Sequence, residues 1–107
     1  MSLDHHLGHH FQESVCTFLE RKFGKAVNKW KGLPDIQVVV NGVKLNLEVT
    51  TSTVGFWWKE LEYKERGIIL HAFIVASPPI NILDSKVPIF LFDENLSEKL
   101  IEIARRV

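Results

Sequence analysis

The sequence predicts an α/β fold with a central mixed sheet flanked by helices. Three observations lead to this prediction. Apolar residues recur every three or four positions near both ends of the chain, which is typical of helices with one buried face. Residues 43–50 alternate between apolar and polar, as a half-buried strand does. Residues 68–76 are almost continuously apolar, which favours a strand covered on both faces.

The elements are predicted in the order α, β, β, β, α, β, β, α. The first helix ends at Gly24, because a glycine commonly follows the last helical turn. Its buried stripe consists of Leu7, Phe11, Val15, Phe18, Leu19 and Phe23. Residues 1–10 precede most of this stripe, and we expect them to be a histidine-rich segment that frays, followed by one domain over residues 11–107.

Three strands should follow the first helix. Residues 26–30 form a short one, and residues 36–40 are β-branched enough for a second. Asn41-Gly42 is a strong hairpin signal, since both residues tolerate the positive φ angles of a tight turn. The third strand then runs over residues 43–50.

The second half of the chain predicts one helix, two strands and a last helix. Thr51, Ser52 and Thr53 are candidate N-caps for a helix that Gly67 closes. Its apolar positions are Val54, Trp57, Trp58 and Leu61. Strands follow within 68–76 and at 88–92. The last helix begins at Leu96, is capped by Asn95 with Glu98 three residues on, and buries Leu100, Ile101 and Ala104.

Composition restricts the possible function. No apolar run approaches the roughly 20 residues that cross a bilayer, and the N-terminus lacks the features of a secretory signal. Cys16 is the single cysteine, which excludes an intrachain disulfide and fits a reducing compartment. We therefore expect a cytoplasmic protein. Thirteen basic residues balance thirteen acidic ones, so net charge gives no support to nucleic-acid binding, although a basic face can exist locally.

Asp35 and Glu48 are the residues most suggestive of chemistry. Asp35 lies six residues before Asn41, and Glu48 lies six residues after Gly42. A hairpin at Asn41-Gly42 therefore sets the two carboxylates roughly opposite each other. Like charges there are destabilising unless they are neutralised. A divalent metal such as magnesium would neutralise them and activate water. Each residue alone also fits an ordinary role, Asp35 in a turn and Glu48 on a solvent-facing edge.

The stretch Pro34-Asp35-Ile36, Asn41-Gly42-Val43 and Leu47-Glu48-Val49-Thr50-Thr51-Ser52 resembles the core of the PD-(D/E)xK nucleases. Within that class it is most similar to archaeal Holliday junction resolvases, over roughly residues 7–76. The resemblance implies a restriction-endonuclease-like three-layer core, a homodimer, and magnesium-dependent cleavage of branched DNA, with manganese able to substitute. It also implies metal binding by Asp35, Glu48 and the backbone carbonyl of Val49.

The sequence departs from the family pattern at the catalytic lysine. Thr50 occupies the place two residues after Glu48, and a hydroxyl cannot supply the positive charge that helps to orient the attacking water. Lys44 lies on the same strand face as Glu48, four residues away. Lys59 and Lys64, on the following helix, are the other candidates, and spacing does not choose among the three.

A second departure concerns the first helix, where the family usually places a glutamate. Glu13 matches by residue type, but its helical phase directs it away from the buried stripe. Gln12 lies at the edge of the stripe, from which it can reach toward Asp35. We favour Gln12 for this position, with Glu13 solvated, so that Gln12 or Thr50 would position water.

The N-terminal histidines and Cys16 each have an ordinary explanation as well as a functional one. His5 with His9, and His6 with His10, have metal-binding spacing on a helix, but nothing near them completes a ligand set, which favours adventitious binding. Cys16 beside the stripe is more typical of a small buried side chain than of a nucleophile.

Three adjacent aromatic residues cannot all be buried on one helix face, namely Phe56, Trp57 and Trp58. We expect at least one of them at an interface, with a homodimer contact favoured over stacking on an unpaired base.

Three hypotheses for function follow. The first is a metal-dependent endonuclease acting on branched or distorted DNA. The second is an inactive nuclease-fold protein retained for DNA binding or for pairing with a partner. The third is a protein-interaction module, which the zero net charge favours.

Overall fold

The computed structural model describes residues 3–30, 32–79 and 85–107, and the side chains of these from residue 8 onward. Within them the elements occur in the predicted order. The helices are α1 (Leu3–Phe23), α2 (Phe56–Glu65) and α3 (Leu96–Arg106). The strands are β1 (Ala26–Asn28), β2 (Ile36–Val40), β3 (Val43–Thr50), β4 (Ala72–Val75) and β5 (Ile89–Leu91). No helix in the described part of the chain is long and apolar enough to cross a membrane.

The five strands form one mixed sheet in the order β1-β2-β3-β4-β5. β1, β2 and β3 are antiparallel neighbours, whereas β3, β4 and β5 are parallel. The β2–β3 hairpin forms at the predicted turn, where Asn41 and Gly42 have φ angles of 50° and 82°. These positive values suit the turn that joins two twisted antiparallel strands through two residues.

Helices cover both faces of the sheet. Val15 and Leu19 of α1 and Leu100 of α3 share one apolar cluster with Leu47 and with one face of β4. Phe56 of α2 packs against Phe73 and Val75, on the opposite face of β4. All four residues of β4 are buried, as expected of a strand covered on both sides.

The strand predicted within residues 68–76 is shorter than the apolar run. Residues 68–71 lie between the turn that ends α2 and the start of β4, and Ile69 among them is 71% exposed. Likewise, α1 begins at Leu3, ahead of the apolar stripe, so that His9 and His10 lie within the helix.

The N-cap prediction for α2 is wrong. The helix is preceded by Gly55 in a left-handed conformation with φ of 81°, and no side chain caps it. Thr50 and Ser52 instead bond locally, since the Ser52 N–H donates to Thr50 Oγ1 and the Ser52 hydroxyl donates to the Val54 carbonyl. Short polar side chains that bond to nearby backbone compete with helix initiation.

At α3, Asn95 does occupy the N-cap position, but its side chain makes no capping hydrogen bond. The Asn95 N–H donates to Asp93 Oδ1 instead. Leu96, Leu100 and Ala104 are buried, while Ile101 is half-buried at the edge of the core. The buried stripe is thus shifted by a fraction of a turn from the predicted one.

Candidate active site

Asp35 and Glu48 lie opposite each other at one end of the β2–β3 pair. β2 and β3 are registered with Ile36 opposite Leu47, and the same register continued by one residue sets Asp35 opposite Glu48. The Val49 N–H donates to Asp35 Oδ2 at 2.9 Å, which fixes the aspartate against β3. The two-residue turn determines this pairing, because the register of a hairpin follows from its turn.

Glu48 is buried between the sheet and α2, with only 4% of its surface exposed. The Tyr63 hydroxyl donates to Glu48 Oε1 at 2.7 Å. Lys59 Nζ lies 4.0 Å from Glu48 Oε2 and 3.7 Å from Glu62 Oε2. Lys59 and Tyr63 are four residues apart on α2 and therefore share the face that approaches the sheet.

The pKa values of both carboxyl groups are raised. Burial is the largest cause for each, because it disfavours the charged form. The charge of Asp35 raises the pKa of Glu48 further, and its value is about 8 despite opposing contributions from Tyr63 and Lys59. A hydrogen bond between the two carboxyl groups raises the pKa of Glu48 and lowers that of Asp35. At neutral pH Glu48 therefore holds a proton.

Tyr63 completes the buried network. Burial, followed by the charge of Glu48, raises the pKa of its hydroxyl, so that Tyr63 acts as a hydrogen-bond donor and not as an acid. The sequence reasoning missed this residue. The available signal was its spacing, because Tyr63 lies seven residues after Phe56 and four after Lys59.

Gln12 reaches the site from α1, and Glu13 does not. Gln12 is 9% exposed, and its Nε2 lies 2.6 Å from Asn28 Oδ1 and 3.2 Å from the Asp35 carbonyl oxygen. A third, longer contact joins it to the Lys29 carbonyl oxygen at 3.5 Å. Its amide thus holds the backbone before β2 in place, whereas Glu13 is exposed on the neighbouring side of α1.

The three candidate lysines differ in their distance from Glu48. Lys44 is exposed and lies four residues along β3 from Glu48, which corresponds to about 13 Å. Lys64 is also exposed and is five residues from Lys59, so it points away from the sheet. Of the three, Lys59 is the lysine that contacts Glu48. Thr50 is half-buried, and its hydroxyl accepts the hydrogen bond from Ser52.

The adjacent aromatic residues divide between core and surface. Phe56 is 1% exposed and stacks edge-on against Phe73, so it is not available to an interface. Trp57 and Trp58 are 47% and 61% exposed, with ring centroids 4.4 Å apart in a stacked arrangement. Leu61 is exposed on the same outer side of α2. The helix therefore buries Phe56 and Tyr63 in place of the predicted tryptophan and leucine positions.

The remaining candidate groups are Cys16 and the histidines of α1. Cys16 is buried, and burial raises the pKa of its thiol, which makes it unreactive. The His9 ring packs edge-on against Trp30 at 5.2 Å between centroids, and the side chains of His5 and His6 lie outside the described residues. Among the residues that the structure describes, no three histidine, cysteine, aspartate or glutamate side chains are grouped to hold a metal.

The chemistry of the site is that of two facing carboxyl groups that require neutralisation. When Glu48 loses its proton, its charge faces that of Asp35 in a buried place, and the half-exposed Lys59 offsets this repulsion only in part. A divalent cation with water completing its coordination would fit this demand. The Val49 carbonyl lies on the same edge of β3 as its N–H, which bonds Asp35, and so is suitably directed for a third oxygen ligand.

Comparisons of the chain with protein-family models, with curated proteins and with solved structures gave no match.

Proposed function

We propose that this protein is a metal-dependent DNA endonuclease of the PD-(D/E)xK type, acting on branched or distorted DNA. The observation that carries the proposal is the position of Lys59. Its ammonium group lies 4.0 Å from a Glu48 oxygen, and Glu48 faces Asp35 across a hairpin. A lysine from α2 thus supplies the positive charge that Thr50 cannot.

Each residue has a distinct role in this proposal. Asp35 and Glu48, with the Val49 carbonyl, would hold magnesium, and manganese would substitute. Such an ion lowers the pKa of a bound water and stabilises charge on a phosphate. Lys59 would orient the attacking water and stabilise negative charge as it develops. Tyr63 holds Glu48 in position through its hydrogen bond, and Gln12 holds the backbone of Asp35.

The order of elements supports the proposal, since a helix, a three-strand meander, a helix and a strand follow one another over residues 7–76, where the resemblance to these nucleases lies. The resemblance to these nucleases also implies a homodimer. Trp57 and Trp58 would provide its contact, because they form an exposed stacked pair on the outer side of α2.

A second candidate is an inactive nuclease-fold protein retained for DNA binding or for pairing with a partner. The occupied carboxylate oxygens favour it. Tyr63 bonds one oxygen of Glu48, and Val49 bonds one oxygen of Asp35. With a pKa of about 8, Glu48 carries a proton at neutral pH that a metal would have to displace.

Cleavage of labelled four-way junction, flap and duplex DNA separates the two candidates. We expect magnesium-dependent cutting of the junction or flap that disappears in Asp35→Asn and Glu48→Gln. Lys59→Ala should lower kcat by about 10²- to 10³-fold, the usual effect of removing one group that stabilises developing charge.

Lys64→Ala is the matched control, because Lys64 is an exposed lysine on the same helix, and it should retain wild-type kcat. Equal losses in Lys59→Ala and Lys64→Ala would contradict the role of Lys59. Folded wild-type protein that binds junctions without cutting them, in magnesium or manganese, would establish the inactive candidate.

A further inference from the structure

The sheet face that carries Asp35 and Glu48 is only partly covered by α2. Phe56 and Tyr63 of α2 pack over the Glu48 end of this face and over β4. Toward the hairpin the face is open, and a groove of about 570 Å³ lies there. We call it the β2–β3 groove; the lining residues used below are Lys29, Gln37, Lys44, Asn46 and His71.

The register places this groove directly in line with the carboxyl pair. Gln37 pairs with Asn46, and Val39 with Lys44. Alternate residues of a strand share a face, so these pairs follow Asp35 and Glu48 on the same side of the sheet, with about 7 Å between one pair and the next. A row of carboxyl, amide and ammonium groups thus runs along the hairpin.

The polar groups of the row are held in fixed positions. Gln37 Nε2 donates to Asn46 Oδ1 at 3.0 Å, and Asn46 Nδ2 donates to the Ile69 carbonyl at 2.9 Å. The Asn46 N–H donates to His71 Nδ1 at 2.9 Å, so the hydrogen of the neutral imidazole is on Nε2. Burial lowers the pKa of His71 and favours this neutral form. His71 therefore offers a hydrogen-bond donor on a ring whose orientation is set.

The charged side chains that line the groove are basic, although the chain has a net charge of zero. Lys29 and Lys44 line it, and none of the described residues that line it has an acidic side chain. A cation does not match two ammonium groups beside fixed amide and imidazole donors. An anion that extends along the groove does, because each of these groups can contact an oxygen of a phosphate chain.

We propose that the β2–β3 groove binds the phosphodiester backbone of one DNA strand beside the phosphate that faces Asp35 and Glu48. The placement of the cut phosphate rests on the proposed function, whereas binding in the groove does not require cleavage. In this arrangement Lys44, which lies about 13 Å along β3 from Glu48, contacts a different phosphate. This gives Lys44 a role in binding, although it is too distant from Glu48 to take part in the chemistry.

Binding of a fluorescently labelled DNA strand, measured by anisotropy in the Asp35→Asn background, tests the groove without cleavage. Adding Lys44→Gln should weaken binding of the single strand about fivefold at 0.1 M salt and reduce the slope of log affinity against log salt by about 0.7, the effect of losing one phosphate contact. Gln37→Glu, which adds a carboxylate to the groove, should weaken binding at least as much. The matched control is Lys22→Gln, because Lys22 is an exposed lysine of α1 outside the groove, and its affinity should be unchanged.

The outcomes separate this inference from the proposed function. If Lys44→Gln and Gln37→Glu weaken binding while the wild-type protein cuts nothing, the groove is supported and the endonuclease proposal fails. If the wild-type protein cuts DNA and Lys44→Gln, with Asp35 intact, raises KM at unchanged kcat, both are supported. If the wild-type protein cuts DNA but neither KM nor affinity changes in Lys44→Gln and Gln37→Glu, the proposal for the groove fails and the endonuclease proposal stands. Equal weakening by Lys22→Gln, or no DNA binding by folded protein, would also overturn it.

Discussion

Glu48 combines deep burial with a charge that the fold does not fully neutralise. Its carboxyl group contacts Tyr63, Lys59 and Asp35, and its pKa is about 8. Without a cation, the folded protein therefore keeps a proton on this side chain that the unfolded chain releases near its ordinary pKa of 4.5. This residue links folding with protonation, and the proposed metal would bind the same oxygens.

The free energy of unfolding should consequently fall as pH rises from about 4.5 to about 8. In this range the folded state holds more protons than the unfolded state, so raising the pH favours unfolding, by up to about 1.4 kcal/mol per pH unit. Glu48→Gln removes the titrating group and should flatten this slope, leaving the variant the more stable protein at pH 8. Urea unfolding across this pH range, with a chelator present, measures both slopes.

Glu13→Gln is a suitable control for that experiment, since Glu13 is an exposed glutamate and its replacement should preserve the wild-type slope. A wild-type stability that stays level or rises between pH 5 and 8, or an unchanged slope in Glu48→Gln, would contradict the raised pKa of Glu48.

At the scale of elements, the two faces of α2 differ in burial and in the residues they contact. Its inner face places Phe56 in the core and brings Lys59 and Tyr63 to Glu48. Its outer face exposes Trp57 and Trp58. The helix begins at Phe56, directly after Gly55, whose positive φ turns the chain as it leaves the preceding loop. The position of Lys59 therefore depends on how Phe56 anchors the first turn.

Phe56→Ala should destabilise the protein by about 3–5 kcal/mol, the usual cost of emptying a buried phenylalanine site. Trp58→Ala, on the same helix, should cost about 1 kcal/mol at most, because its ring is mainly exposed and loses only its stacking on Trp57. Urea denaturation of the two variants compares these values. A Trp58→Ala cost equal to that of Phe56→Ala would show that the outer face of α2 is buried, in this chain or against another copy.

The sequence allowed the pairing of Asp35 with Glu48 to be predicted, but not the role of α2. Strict alternation along β3 and a two-residue turn leave one register for the hairpin. By contrast, Phe56, Trp57 and Trp58 are all apolar, so hydrophobic periodicity cannot choose which face turns inward. The choice of Lys59 over Lys44 depends on how a helix packs on a strand distant in sequence. Tyr63 was missed because it stands among lysines and glutamates that suggest a solvated face.

At the scale of the whole molecule, the site lies where the antiparallel and parallel halves of the sheet meet. β3 belongs to both halves, and α2 connects it to β4 across the face that carries Glu48. The net charge of zero is thus the sum of local charges of opposite sign in different regions. A buried carboxyl pair lies beside a groove lined by two lysines, and these regions follow one another along a single hairpin.

Magnesium should therefore stabilise the whole fold through this one place. A ligand that binds only the folded state adds about 1.4 kcal/mol at ten times its dissociation constant, which corresponds to roughly 5–10 °C in melting temperature for a domain of this size. We expect such a rise at pH 8.5, where Glu48 is mostly ionised, and a much smaller one at pH 6, where its proton competes with the metal. Thermal unfolding in magnesium chloride, against potassium chloride of equal ionic strength, measures the effect.

Asp35→Asn and Glu48→Gln should abolish the stabilisation by magnesium, while Glu13→Gln should retain it. A rise that persists in Asp35→Asn would place the cation elsewhere on the protein, and no rise at either pH would leave the carboxyl pair without the metal that the endonuclease proposal requires.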